Sequence, residues 1–244
     1  MRFAITTATY KRSNGTTPFY LKRALDSVFN QTYQDFKIFI IGDKYEDPDE
    51  FLSIVTQYPK DKIYYENLPF AKERDKYQNN ETALWCAGGV YATNHAIDLA
   101  LQEGFTYICQ LDHDDYWTPE HLQNFNDVIN ETGSDWLCSR GTHHNPAHPV
   151  LPKKQTTERY VEYLPQSSDV IHSSTCINLK SIPIRFRDVF EETGVAYPAD
   201  ADRWIRTQSF IIQNKLKSVL INNLSCIHDI ERGKHNDNSY NTFH

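Results

Sequence analysis

Apolar residues along the chain fall into two kinds of pattern. Short runs of β-branched and aromatic residues predict buried strands, whereas apolar residues that recur every three or four positions predict amphipathic helices. The strand-like runs cover residues 3–9, 36–41, 63–66, 107–111, 136–140, 170–179 and 218–227. The helical patterns run from 17 to about 30, from 47 to about 55, from 91 to 101, from 118 to about 132 and from about 200 to 215.

Three segments carry neither pattern. Residues 67–89 predict a long polar loop, residues 142–168 an irregular stretch, and residues 228–244 a polar tail. Loops of such length inside a domain are usually functional. Strands that alternate with helices predict a single α/β domain, built on a mostly parallel sheet with right-handed crossovers and flanking helices.

In sheets of this kind, ligands bind beyond the carboxyl ends of the strands. Polar residues follow four predicted strands at those ends: Thr9-Tyr10-Lys11-Arg12, Asp43, Asn67 and Asp112. The pattern therefore predicts a binding site at one edge of the sheet. The absence of GxGxxG after the first strand and of GxxxxGK[ST] anywhere argues against dinucleotide-binding and P-loop sites.

Composition narrows the class of protein. The chain has 244 residues, of which 39% are hydrophobic and 23% charged, as in ordinary globular enzymes. Its net charge of −7 argues against a nucleic-acid partner. No apolar run reaches the ~20 residues that a membrane span needs. Five cysteines without CxxC spacing predict buried free thiols in a reducing compartment, so we expect a soluble, cytoplasmic protein.

Three carboxylates stand within four residues of one another directly after a buried strand, in Leu111-Asp112-His113-Asp114-Asp115. Such a cluster repels itself unless a cation lies among its oxygens. A hard divalent ion, with a diphosphate completing its shell, meets that need. The alternative is an acidic turn that caps the next helix, and Asp115 alone fits that role.

Several segments together resemble family 2 inverting glycosyltransferases of the GT-A fold, and the resemblance covers most of the chain. The first strand and its Thr9-Tyr10-Lys11-Arg12 ending match, as does the strand that ends at Asp43. The most specific matches are Ser27-Val28-Phe29-Asn30-Gln31-Thr32-Tyr33-Gln34-Asp35-Phe36, the Asp112-His113-Asp114 segment, and Asp200-Ala201-Asp202-Arg203-Trp204-Ile205-Arg206. Within the family, the chain is most similar to enzymes encoded by chlorella viruses. That similarity would imply a role in the synthesis of viral capsid glycans.

The resemblance implies a role for each matching position. Asp112 and Asp114 would hold Mn²⁺ or Mg²⁺, and Asp200 would be the catalytic base. The donor, a UDP-sugar, would be bound by Thr7, Thr9, Tyr10, Arg12, Asp43, Asn67, Asn94, Asp112 and His113. Residues 1–115 would form the nucleotide-sugar half and residues 116–227 the half that binds a glycan or glycoprotein acceptor.

Three departures from the family pattern affect these roles. Thr93 stands where the family often has Arg, so Lys72 or Arg74 is expected to meet the diphosphate, with a solvated charged loop as the equal alternative. Ala199 replaces the Glu before the base. Lys44-Tyr45 follows Asp43 where Gly-Ser is usual, which leaves the base specificity open.

Other residues have competing interpretations. Asp202, Glu191 and Glu192 are rivals of Asp200, although Asp202 also fits a salt bridge to a neighbouring Arg, and Glu191 and Glu192 fit a surface turn better. His228 could ligate a metal or phosphate, or it could be a solvated residue of the tail, and the solvated alternative is favoured. The same two alternatives apply to Arg232 and His235. Of Trp85, Trp117 and Trp204, which can stack on sugar, Trp85 is expected to pack in the core.

Two other classes of function compete with glycosyl transfer. A nucleotidyltransferase of similar sheet topology normally carries a Gly-rich basic signature after the first strand, and Thr9-Tyr10-Lys11-Arg12 does not match it. A non-catalytic domain that binds a sugar nucleotide or glycan has no need of the carboxylate cluster together with Asp200.

Overall fold

The computed structural model describes residues 1–143, 147, 149–229 and 231. The described helices are Thr17–Phe29 (α1), Pro48–Val55 (α2), Lys72–Lys76 (α3), Glu81–Ala87 (α4), Val90–Gln102 (α5), His121–Thr132 (α6), Val189–Thr193 (α7) and Ala199–Asn214 (α8), with a 3₁₀ turn at His172–Ser174. The strands are Phe3–Thr9 (β1), Phe36–Gly42 (β2), Ile63–Asn67 (β3), Tyr107–Gln110 (β4), Tyr116–Trp117 (β5), Trp136–Thr142 (β6), Val150–Leu151 (β7), Tyr160–Glu162 (β8), Thr175–Asn178 (β9) and Ser218–Ile227 (β10).

These strands form one sheet in the order β3-β2-β1-β4-β9-β6-β10-β5, with β7 on β6 and β8 on β10. The neighbours β3, β2, β1 and β4 are parallel, and so are β6 and β10. β9 runs antiparallel between β4 and β6, so the sheet as a whole is mixed. The α/β architecture with flanking helices is as expected, and the parallel strands β1–β4 carry their carboxyl ends to one edge.

Helices cover both faces of the sheet. Along β1, Phe3 and Ile5 pack with α1 and α6, whereas Ala4 between them packs on the opposite face with α5. Period-2 alternation therefore sends apolar side chains into two separate cores. This explains why the strands read as continuous apolar runs instead of alternating ones.

Three expected segments differ from the structure, of which the stretch 142–168, expected to be irregular, contains the short strands β7 and β8. The segment 67–89, expected to be a loop, contains α3 and α4. α3 is almost wholly polar and α4 has only seven residues, so neither shows a helical period, although the Asn80 side chain caps α4 by accepting from the Ala83 N–H at 3.0 Å. The strand expected over 170–179 begins only at Thr175, after the 3₁₀ turn.

The cysteines behave as expected, since all five are buried free thiols. Four lie on strands and Cys86 lies on α4. Among the described residues, no helix has the length and apolar character needed to cross a membrane.

Candidate active site

The parallel strands bring the predicted polar residues to one edge of the sheet. Thr9 is in register with Gly42, and Gly42 with Asn67. The Asp43 N–H donates to the Thr9 carbonyl at 2.7 Å, which fixes the start of the loop after β2. β4 lies on the other side of β1 and leads through Leu111 into Asp112.

The Asp43 carboxylate is buried, and only one of its two oxygens has a hydrogen-bond partner among the described residues. Its Oδ2 accepts from Arg74 Nε at 3.2 Å, whereas Oδ1 has no partner among the described residues. Burial raises the pKa of this carboxyl, and the Arg74 guanidinium opposes that shift. The Thr7 and Thr9 hydroxyls on β1 are likewise buried without a partner in the described part of the chain. Buried polar atoms that the protein leaves unpaired are the kind that a ligand satisfies.

Two guanidinium groups lie close to the Tyr10 ring. The Arg74 guanidinium is 4.5 Å from the centre of its ring, and the Arg12 guanidinium is 5.7 Å away. The ring also meets His113 edge to face, with 6.5 Å between ring centres. Tyr10 therefore connects the surroundings of Asp43 with those of the carboxylate cluster.

Asn67 is occupied by the protein itself. Its amide accepts from the Tyr45 N–H at 2.8 Å and donates to the Tyr45 carbonyl at 3.0 Å, so it holds the loop after β2. Gly42 permits this approach, because a Cβ there would lie 2.5 Å from Asn67 Oδ1. Beside them is an open groove of about 550 Å³, bordered by Lys44, Tyr45, Asn67 and Leu68 among others. Asn67 thus shapes a groove wall, and its contact with a ligand stays a prediction.

The side chains predicted to contact the diphosphate differ in how far other protein groups already bind them. Arg74 is engaged by Asp43 and by Glu46, at 2.6 Å. Lys72 is half exposed, with a distant ion pair of 3.9 Å to Glu191. Asn94 donates to the Phe186 carbonyl at 2.9 Å and accepts from the Phe186 N–H at 3.2 Å, which joins α5 to the segment before α7.

The carboxylates after β4 have different surroundings. Asp114 Oδ2 accepts from the Glu231 N–H at 2.9 Å and lies 3.8 Å from Arg12 Nη2. Asp115 accepts from His228 Nδ1 at 2.9 Å. Burial, together with the charge of Asp114, raises the pKa of Asp112 to about 6. Asp115 is therefore a partner of His228 and does not cap the next helix.

Asp112 and Asp114 suit a divalent cation. The described residues contain no group of three His, Cys, Asp or Glu side chains able to hold a metal ion on their own. Two mutually repelling carboxylates nevertheless supply the oxygen ligands that Mg²⁺ and Mn²⁺ prefer. Mg²⁺ in particular is commonly bound by one or two carboxylates plus substrate phosphates. Asp112 and Asp114 therefore fit a divalent ion whose remaining ligands are phosphate oxygens of the substrate.

The segment after β10 belongs to this site, which sequence reasoning missed. The Glu231 carboxylate is buried and accepts from the Thr17 hydroxyl at 2.8 Å and from His113 Nε2 at 2.9 Å. His228, expected to be solvated, is instead bonded to Asp115. Burial opposes its charged form, but the Asp115 carboxylate outweighs that and raises the pKa of His228 to about 9. Arg232 and His235 lie outside the described residues.

One signal for this segment was present in the sequence. The predicted strand over 218–227 ends directly before His228. In the fold this strand, β10, pairs with β5, and Ile227 is in register with Tyr116, next to Asp115. Only the pairing, which the sequence does not disclose, brings His228 to the carboxylates.

Asp200 and the alternative candidates for the catalytic base differ in their hydrogen-bond and ion-pair partners. Asp200 lies in the first turn of α8, and its only side-chain bond within the described chain accepts from the Ala201 N–H at 2.7 Å. Asp202 is buried and accepts from Arg187 and Arg206, each at 2.7 Å. The alternative of a salt bridge for Asp202 is thus what the structure contains.

Glu191 and Glu192 lie on the exposed helix α7. Glu191 pairs with Lys76 at 2.9 Å and Glu192 with Arg187 at 2.9 Å. Both are surface ion pairs, in agreement with the expectation that they fit the surface better than a catalytic role.

Two buried basic side chains near Asp200 were not foreseen. His172 stacks on Phe186 with 5.2 Å between ring centres, and burial lowers its pKa to about 4 although the Asp200 charge opposes this. Arg203 is fully buried and donates to Gln110 Oε1 at 2.6 Å. The tryptophans also differ from expectation, because Trp117 and Trp204 are buried and Trp85, expected in the core, is 51% exposed.

The family is decided by comparison with known sequences. The sequence model described as "Glycosyl transferase family 2" matches residues 5–194. The chain belongs to this family. An "Uncharacterized glycosyltransferase R139" of Acanthamoeba polyphaga mimivirus is 31% identical over 237 residues, which cover 95% of each chain. The resemblance stated from the motifs is confirmed, and the chain is a glycosyltransferase with a relative from a giant virus.

Solved structures agree on the fold. S. aureus TarS 1–349 in complex with UDP-GlcNAc has a TM-score of 0.69 at 17% identity, over 96% of this chain and 60% of TarS 1–349. The mannosyltransferase PcManGT from Pyrobaculum calidifontis, in complex with GDP-Man and Mn²⁺, has a TM-score of 0.56 at 14% identity, over 95% of this chain and 58% of its own. This family 2 chain thus spans about three fifths of the solved chains that it matches.

Proposed function

We propose that this glycosyltransferase is metal-dependent and inverting, and that it moves a sugar from a UDP-sugar to a hydroxyl of a glycan acceptor. The observation that carries the proposal is the division of roles among the carboxylates. Within the described residues, one oxygen of Asp43 after β2 has no partner and Asp200 in the first turn of α8 has no ion pair, while Asp112 and Asp114 form a repelling pair after β4.

On the donor side, Asp43 Oδ1 accepts the imide N–H of uracil, and the Thr7 and Thr9 hydroxyls bond to the nucleoside. Arg12 lies 3.8 Å from Asp114 and adds positive charge beside the diphosphate, and His113 directly precedes Asp114. Asp112 and Asp114 would hold Mn²⁺ or Mg²⁺, which when bound offsets the charge that develops on the departing diphosphate. The TarS structure with UDP-GlcNAc supports a uridine donor, and the PcManGT structure supports a metal.

On the acceptor side, Asp200 takes the proton from the attacking hydroxyl. The acceptor oxygen forms its bond to the anomeric carbon while the bond from that carbon to the diphosphate oxygen breaks. One displacement from the side opposite the leaving group inverts the configuration, so no covalent intermediate on a carboxylate is needed. The first turn of α8 favours a negative charge at Asp200, because the helix N-terminus carries partial positive charge.

The acceptor we propose is a glycan or glycoprotein, and the mimivirus relative supports a place in viral glycan synthesis. The narrower similarity to chlorella-virus enzymes stays a prediction. Family membership supports sugar transfer over the two competing interpretations, synthesis of an activated sugar and simple sugar-nucleotide binding.

A thermal-shift comparison of UDP, GDP and CDP, each with Mn²⁺, tests the donor proposal. A ligand that binds only the native state raises the unfolding temperature according to its affinity. We expect UDP to give the largest rise. A larger rise with GDP would move the donor to a guanosine sugar, as in the PcManGT complex. No rise with any nucleotide would contradict the proposed function.

A further inference from the structure

The four tryptophans differ sharply in exposure. Trp117, Trp136 and Trp204 are at most 3% exposed, whereas Trp85 on α4 is 51% exposed. Tryptophan is highly buried on average, so a half-exposed side chain is the informative exception.

The exposed residues that precede Trp85 along the chain are polar. Exposed side chains able to hydrogen-bond precede it along the chain, namely Gln78, Asn79, Glu81 and Thr82. An aromatic face attracts the partly positive C–H groups of a sugar ring, while amide, carboxyl and hydroxyl groups bond to its hydroxyls. A peptide-binding surface would instead need a broader apolar area. The chemistry around Trp85 therefore favours a carbohydrate.

α4 is joined to the chain that leads to Asp200. The Tyr77 hydroxyl, between α3 and α4, donates to Asp188 Oδ2 at 2.6 Å, and the Tyr77 ring meets Phe190 of α7 with 5.6 Å between ring centres. α7 ends at Thr193, and the residue after it, Gly194, has a φ of +72° that turns the chain into the short linker before α8. That linker carries a second exposed aromatic residue, Tyr197, which is 37% exposed and lies three residues before Asp200.

Electrostatics agree with this placement. Burial raises the pKa of Cys86, and the charge of Asp200 raises it further. Cys86 directly follows Trp85 on α4. The Asp200 charge therefore reaches α4, in agreement with the contacts through Tyr77.

We propose that Trp85 and Tyr197 form the acceptor subsite, an aromatic platform that binds a sugar ring and turns one hydroxyl toward Asp200. The orientation toward Asp200 rests on the proposed function. The binding of carbohydrate by this surface does not, because it depends only on the exposed rings and their polar surroundings.

Iodide quenching of tryptophan fluorescence tests the platform directly, since Trp85 is the one exposed tryptophan of the four. Iodide should quench part of the wild-type emission and almost none of the Trp85→Phe emission. Millimolar methyl glycosides of glucose, galactose, mannose and N-acetylglucosamine serve as probes. We expect at least one to lower the quenching constant roughly twofold by covering the ring. If no glycoside in the panel protects Trp85, the platform is refuted.

A second residue keeps the test independent of the reporter. In Tyr197→Ala, which retains Trp85, the protecting glycoside should bind about tenfold more weakly, while Tyr197→Phe should bind it nearly as wild type. Ile212→Ala is the matched control, because Ile212 is 57% exposed on the last turns of α8. Unchanged binding in Tyr197→Ala would contradict the shared platform.

The two proposals fail separately. If glycosides protect Trp85 but no nucleotide diphosphate raises the unfolding temperature, the platform stands and the proposed function falls. If UDP with Mn²⁺ stabilises the protein but no glycoside protects Trp85, the proposed function stands and the platform falls.

Discussion

Asp200 and Asp202 stand two residues apart on α8 and have opposite surroundings. Asp202 is held by Arg187 and Arg206, and although burial opposes ionisation, these two guanidinium groups hold the pKa of its carboxyl below the usual value. Asp200 has no such partner in the described chain. A carboxylate that keeps its oxygens open can accept a proton from a substrate, whereas one that is already bridged by two cations serves the fold.

Replacing Asp200 by Asn keeps the shape of the side chain and removes its basicity. We expect sugar transfer to fall by roughly 10²–10⁴, the usual contribution of general base catalysis. UDP binding, measured by calorimetry with Mn²⁺, should barely change because the base serves the acceptor. Asp202→Asn is the control, and it should lower stability by about 3 kcal/mol since it unpairs two arginines. Near-normal transfer by Asp200→Asn would exclude it as the base.

His121 provides a test at the residue scale that is independent of catalysis. It is fully buried, stacks on Trp117 with 4.3 Å between ring centres, and bonds to the Ser225 hydroxyl at 2.8 Å. Burial lowers its pKa to about 3, whereas the unfolded chain protonates it near pH 6.5. The folded state therefore loses stability as pH falls below about 6.5, and the loss continues toward pH 3.

The expected size of the His121 effect is about 2 kcal/mol between pH 7 and pH 5, from roughly 1.4 kcal/mol per pH unit below the unfolded pKa. Urea unfolding at both pH values measures it. His121→Gln should show a smaller decrease than the wild type by about that amount. Equal pH dependence in the two proteins would mean that His121 is not buried in its neutral form.

Elements of the site differ in how well the sequence predicts them. β1 to β4 are marked by short apolar runs with polar residues at their ends, so their positions follow from the sequence pattern, and the parallel α/β architecture predicts their shared edge. α3 and α4 do not, because one is almost wholly polar and the other is too short for a helical period to be detected. The apolar pattern predicts β9 to begin too early, since the buried Val170 and Ile171 lie before the 3₁₀ turn and outside any strand.

The segment from His228 to Glu231 is the element whose importance the sequence hid. Its polar residues are typical of a solvated tail, and its bonds to Asp115 and His113 join residues more than 100 positions apart. Contacts of that range follow from strand pairing, which a local pattern does not contain. The site was therefore predicted on its β1, β2 and β4 sides and missed on this one.

Glu231→Ala tests whether this segment stabilises the site. The change leaves Arg12, His113 and Thr17 without a buried acceptor, so we expect a loss of about 3 kcal/mol. For a chain of this length, that corresponds to an unfolding temperature roughly 6–12 °C lower. Glu103→Ala, which removes only an exposed ion pair with Lys37, should cost less than about 1 kcal/mol. Equal effects of the two changes would show that Glu231 does not anchor the segment.

At the scale of the whole molecule, the two halves of the chain are joined by buried polar contacts around the site. Asn94 bonds the Phe186 backbone, Tyr77 bonds Asp188, and Arg203 reaches Gln110 on β4. Each contact joins residues 1–115 to residues 116–227. The proposed donor and acceptor sides are thus held in one arrangement by the fold itself, so binding at the carboxylates should stabilise the entire domain.

Saturation with UDP and Mn²⁺ measures that coupling. At about 100 times its dissociation constant, a ligand that binds only the native state adds about 2.7 kcal/mol, which raises the unfolding temperature by roughly 5–11 °C. Asp114→Ala should remove this rise and leave a folded protein, because the two carboxylates hold the cation jointly. A chelator should do the same to the wild type.

Asp98→Ala, which removes an exposed carboxylate on α5, should keep the full rise. If UDP stabilises the Asp114 variant, or the wild type in chelator, as much as it stabilises the wild type with Mn²⁺, the cluster serves the fold and the proposed metal dependence is wrong.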